Sequence, residues 1–144
     1  MRKTAKRQKA DLQIALARTD AQLGKLNWEL AVELTRLAEA TNDPAPLMQA
    51  VSALRSAVRY YSFEDAPREH AVIQQGIADT LLTLGRQTGD REALKSARDA
   101  YRGAITLASL LSDDTLREDL RVNYKLCQTL LGDRPRSQSL FNVA

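Results

Sequence analysis

The chain repeats itself, and that repeat limits its possible folds more than any single motif does. Residues 37–61 read LAEATNDPAPLMQAVSALRSAVRYY and residues 84–108 read LGRQTGDREALKSARDAYRGAITLA. At a shift of 47 positions, Leu37/Leu84, Thr41/Thr88, Asp43/Asp90, Leu47/Leu94, Ala50/Ala97, Ala53/Ala100, Arg55/Arg102 and Ala57/Ala104 are identical. A further copy aligns at a shift of 49, with REHAVIQQGIADTLL (68–82) against REDLRVNYKLCQTLL (117–131). A period of this length holds two helices, A then B, and their turns. Such a unit cannot bury its apolar face alone, so neighbouring units must stack.

Composition agrees with helix. Leu occurs 22 times and Ala 21 times, against 10 for Val and Ile together. Unbranched and methyl side chains lose little rotamer freedom in a helix, whereas β-branched ones lose more. Turn residues then divide the chain into expected helices at about 3–18, 20–40, 44–61, 66–87, 91–110 and 114–131, with a short seventh piece after Pro135. Asp65-Ala66-Pro67 and Ser112-Asp113-Asp114 read as helix starts. Asn42-Asp43-Pro44 and Thr88-Gly89-Asp90 separate A from B. The break near residue 19 rests on Thr19-Asp20-Ala21-Gln22 as a capping box. A single helix over 3–40 is the competing reading, because Gly24 alone need not end a helix. Residues 1–19 then form a basic arm and leading helix, and residues 20–144 a helical-repeat domain with a truncated last unit.

Several functions are excluded or disfavoured. The single Cys127 permits no internal disulfide and no cysteine-rich zinc site, and the single His70 permits no multi-histidine metal centre. No apolar run approaches the roughly 18 residues of a membrane span. No Ser/His/Asp set or glycine-rich phosphate loop is present. The paired carboxylates Glu64-Asp65, Asp113-Asp114 and Glu118-Asp119 sit at helix starts, where the macrodipole favours them. A phosphotransfer role for His70 lacks the following Lys that would neutralise a phosphate, since the run is HAVIQQG. We therefore expect a non-enzyme with no cofactor and no metal. The segment ADLQIALA (10–17) is interrupted by Asp11 and Gln13 and makes a poor signal-peptide core, so the expected location is cytoplasmic.

Charge is uneven. Arg2, Lys3, Lys6, Arg7 and Lys9 stand in the first ten residues with no acid among them. With those five removed from the formal +3, residues 11–144 carry −2. Such an arm is either the solvated start of a helix or a contact for nucleic acid or an anionic membrane. No aromatic residue interleaves it, so base stacking is unsupported.

The helix-B triplets Ala50, Leu54, Ala57 and Ala97, Tyr101, Ala104, with small residues Ala31, Ala78 and Cys127 in helix A, resemble the tetratricopeptide repeat. The stretch TGDREALKSARDAYRGAI resembles its longer bacterial variants. The period exceeds the usual 34 residues, and Asn27, Gln74 and Asn123 stand where an early Trp is usual. The resemblance implies an all-α, antiparallel helix-pair solenoid of about six to seven helices. It implies an adaptor that holds a peptide or helix of a partner protein on a concave face lined by A helices. Carried over, the lining is Lys25, Trp28, Val32, Gln75, Asp79, Arg121, Tyr124 and Gln128. At the C-terminal end, Leu140 and Phe141 are the only large apolar residues left to cover a helix carrying Leu120, Leu126, Leu130 and Leu131. Leu130, Leu140 and Phe141 are thus expected at an interface with another chain, a homodimer among the possibilities. At the other end, a 3–18 helix bearing Leu12, Ile14 and Leu16 is expected to cover the first pair.

Overall fold

A computed structural model describes residues 2–132. Five helices follow one another: α1 (Arg2–Thr41), α2 (Ala45–Val58), α3 (Pro67–Thr88), α4 (Arg91–Leu110) and α5 (Asp114–Leu131). They hold 87% of the described residues, and no strand occurs among these. The all-α expectation is met. The count differs, because the two helices expected over 3–18 and 20–40 are one helix of 40 residues. The hydroxyl of Thr19 donates to the Ala15 carbonyl at 2.9 Å, which is a bond made within a helix and not an N-cap. The seventh piece expected after Pro135 lies outside the described residues.

The turns use equivalent chemistry in successive units. Asn42 and Gly89, 47 positions apart, both adopt left-handed backbone (φ 54° and 71°) and end α1 and α3. Asp43 and Asp90 come next and accept from the N–H two residues on, Ala45 at 3.0 Å and Glu92 at 2.9 Å. Asp113 caps α5 by accepting from the Leu116 N–H at 3.0 Å. The start of α3 differs from expectation. Asp65 does not cap it. Its backbone N–H donates to the Ser62 hydroxyl, that hydroxyl is also bonded to the Asp65 carboxylate, and α3 opens on Pro67 without a side-chain cap.

Successive helices pack on one another, and α3 also meets α5. Small residues hold the crossings. Ala31, Ala38, Ala50, Ala57, Ala78, Ala97 and Ala104 are all buried. Gly24 and Gly85 have the same cause. A Cβ on Gly24 would stand 2.8 Å from the Tyr60 Cβ, and one on Gly85 would stand 2.6 Å from Leu94 side-chain atoms.

Burial in α5 fits both shifts: its buried residues Leu120, Cys127 and Leu131 fall on buried Ile73, Thr80 and Leu84 at 47 and on buried Ala71, Ala78 and Leu82 at the 49 read for the last copy. α3 and α5 begin at Pro67 and Asp114, 47 apart. α4 runs longer than α2 and the loop after it is correspondingly shorter, so the spacing of the units is kept.

Each A helix thus has two packing faces, one for the helix before it and one for the helix after. α3 buries both. α1 buries only the second, through Gly24, Ala31 and Ala38, and α5 buries only the first. The outer face of α5 is mostly polar, with Glu118, Arg121, Lys125 and Thr129 exposed. The outer face of α1 is not polar, and residues 2–19 are all exposed. The leading segment therefore does not cover the first pair. It continues α1 in line and moves away from it.

Candidate partner-binding face

The groove between α1 and α3 gathers part of the expected lining. Lys25, Trp28 and Val32 of α1 border a depression with Tyr61 and Glu69. An adjoining depression shares Trp28 and Val32 and continues to Gly76, Asp79 and Thr80 of α3. Helical spacing accounts for this, since residues three and four apart lie on one side of α1. The Trp28 ring meets Tyr61 edge-to-face, with centroids 5.6 Å apart and planes at 76°. Trp28 is half-buried and Val32 is exposed. Lys25 faces Glu29 at 3.9 Å, an exposed pair of small energetic weight.

Asp79 is more of a structural hub than an open acidic contact. It accepts hydrogen bonds from the Tyr101 hydroxyl of α4 and, at 3.3 Å, from the Asn123 amide of α5. Burial raises its carboxyl above the usual value of 3.8, and the two hydrogen bonds oppose that shift. Burial also raises the Tyr101 hydroxyl, with the Asp79 hydrogen bond and charge adding to it, so Tyr101 remains a donor. Three helices are tied together at this point. The signal available in the sequence was a Tyr at the bulky position between Ala97 and Ala104, whose hydroxyl required a partner.

The residues expected from α5 form a separate group. Tyr124 packs on the core, and its hydroxyl receives bonds from Arg102 at 3.4 Å and Gln128 at 3.3 Å. The Arg102 guanidinium lies 5.9 Å from the Tyr124 ring centroid. Tyr124 thus meets Arg102 of α4 and borders neither depression, so it does not extend the row begun by Trp28. Arg121 is exposed and paired with Glu118 at 3.0 Å. Gln75 is half-buried on α3 and borders neither depression of the groove. At the C-terminal end, Leu120 and Leu131 are buried, Leu126 is half-buried and Leu130 is 40% exposed. Leu140 and Phe141 lie outside the described residues.

The remaining reactive side chains have structural places. The His70 ring is held by its Nδ1, which donates to the Tyr61 carbonyl at 2.8 Å, and it meets Phe63 edge-to-face at 6.0 Å. These contacts pin the α2–α3 loop. Burial, with a smaller contribution from Asp79 and against that of Arg98, pushes the Cys127 thiol up to about 11. Among the described residues no cluster of His, Cys, Asp or Glu has the makings of a metal site. No described helix is long and apolar enough to cross a membrane.

No protein-family model, no curated protein and no solved structure matches this chain.

Proposed function

We infer that this is a non-catalytic adaptor of the tetratricopeptide type, a helix-pair solenoid that binds a segment of another protein in the groove between α1 and α3. One observation carries the reading. Trp28 and Val32 offer apolar surface along a groove rimmed by the charges of Lys25, Glu29 and Glu69. An aromatic anchor with an apolar neighbour inside a charged rim is the usual composition of a peptide-binding surface. The first-unit positions Lys25, Trp28 and Val32, with Asp79 as the polar floor, form the binding site in this reading.

Trp28 is the only tryptophan, so its emission reports on the groove directly. A panel of extended and amphipathic helical peptides should contain a class that shifts Trp28 emission saturably. Val32→Glu should abolish the shift and leave the melting temperature unchanged, because Val32 is exposed. A shift that survives Val32→Glu would place binding elsewhere on the molecule.

A further inference from the structure

The exposed face of α1 is an ordered seam. Leu12, Leu16, Leu23, Leu26, Leu30 and Leu37 recur at alternating spacings of three and four, with Thr19 and Glu33 completing the pattern. This is the heptad seam of a coiled coil. All six leucines are exposed, from 42% at Leu23 to 71% at Leu12. The repeat shows what such a face does inside this fold. Leu26, Leu30 and Leu37 are the 47-residue equivalents of Ile73, Ile77 and Leu84, which α3 buries to 7% exposure or less. That face of α3 is the one turned to the preceding helix, and among the described residues no helix precedes α1. Met48 of α2, also exposed, borders a depression between α1 and α2 together with Leu30 and Leu34.

The geometry points to a second copy of this chain as the occupant, bound through α1 in antiparallel orientation. Each copy's leading segment then covers that exposed face on the other's first pair. The charges set the direction. The segment to be docked carries Arg2, Lys3, Lys6, Arg7 and Lys9, and the half of α1 beside α2 carries Glu29, Glu33 and Glu39 against Lys25 and Arg36, which pair with Glu29 and Glu33 in the single chain, so it is net acidic where the docked segment is strongly basic. The register follows from the seam. Setting Leu26 across from Leu16 of the second copy also sets Leu30 across from its Leu12, and Glu33 across from its Lys9. The charged residues Lys9 and Glu33 thus meet each other within the seam. A parallel pair in register would instead place Lys9 on Lys9 and Glu33 on Glu33, and would set the two basic arms side by side. Like charges across a desolvated seam are strongly unfavourable. Exposure agrees too, since residues 2–19 are all exposed and most helical stability in proteins comes from packing an apolar face.

Sedimentation of the full chain over a range of concentrations tests this. The expected species is a dimer. Leu16→Glu should give a monomer with an unchanged body, because Leu16 is 62% exposed and lies in the segment that projects from the body. Lys9→Glu and Glu33→Lys should each weaken the dimer, and the two together should restore it. Three results would overturn the proposal: a full chain that stays monomeric at high concentration, a dimer that survives Leu16→Glu but is lost when the chain ends at Gly132, or charge reversals that show no rescue. Capture of the leading segment by anionic vesicles or duplex DNA, without self-association, would also overturn it. The groove between α1 and α3 lies on another side of α1, so peptide binding there and dimerisation can fail independently.

Discussion

Single side chains in this molecule are judged by what lies across the crossing. Gly85 and Gly103 are both helical glycines, and they should respond oppositely to alanine. A Cβ at Gly85 would meet Leu94, backbone nitrogen included, whereas one at Gly103 meets nothing within 4 Å. Gly85→Ala should therefore cost about 1–3 kcal/mol through overpacking, and Gly103→Ala should add about 0.5–1 kcal/mol through helix propensity. Urea unfolding of the two variants checks both signs. Asp79 gives a pH test. Its carboxyl is held above 3.8 in the fold, so the folded state binds more protons between that value and the raised one. Stability from this group is then lost as pH rises through that window. Asp79→Asn keeps an acceptor for Tyr101 and removes the ionisation. Its stability should gain on the parent's as pH rises above the ordinary value of 3.8, and a difference that stays flat would contradict the burial argument. Cys127 is fully buried and its thiol is pushed up to about 11, so thiolate is scarce at neutral pH. Alkylation should proceed only as fast as the chain unfolds. Rapid labelling of folded protein would show that the site opens locally.

At the scale of the element, the caps and the small-residue positions were legible from residue types, and helix continuity was not. Asp113 read as part of a helix start and Asp90 as part of an A–B separator, and each accepts a first-turn N–H. Replacing Asp90 with Ala should cost about 0.5–2 kcal/mol, read from the melting midpoint. Ala97 and Ala104 read as crossing points and are buried to 1% exposure or less. Leucine at either should overpack the α4 crossings by roughly 1–3 kcal/mol, and an unchanged melting temperature would put α4 in the wrong rotation. The break expected at Thr19 was misread for an identifiable reason. A Thr-Asp pair can cap a helix or continue one, because the hydroxyl that would accept an N–H at a cap can instead donate to the carbonyl four residues back. Thr19, Thr35, Thr41, Thr80, Thr88 and Thr129 all make that second bond, so local type alone does not separate the outcomes. The start of α3 was misread similarly. Asp65 had a nearer partner in Ser62, and Pro67 needed no donor satisfied at its own nitrogen.

For the whole molecule, order should grade from the middle outward. The Asp79–Tyr101–Asn123 hub joins α3, α4 and α5, and α3 is covered on both faces. Amide exchange should be slowest around Ile73, Ala78 and Tyr101 and fastest in residues 2–19, whose protection should rise with protein concentration if copies pair. Uniform protection along α1 in dilute solution would mean that the leading segment is stabilised within one chain. The period, the helical class, the crossing alanines and most of the turns were determined by the sequence itself. Each follows from the conformational preference of a residue type or from the match between equivalent positions. Two features were decided only by the tertiary structure. Asp79 became a buried hub and not an open rim charge because a tyrosine and an asparagine from two other helices reach it. The same apolar position is covered in α3 and open in α1 because burial belongs to a pair of neighbouring surfaces. A periodic sequence writes that position identically in every unit, and only the ends of the stack decide which copy has a neighbour.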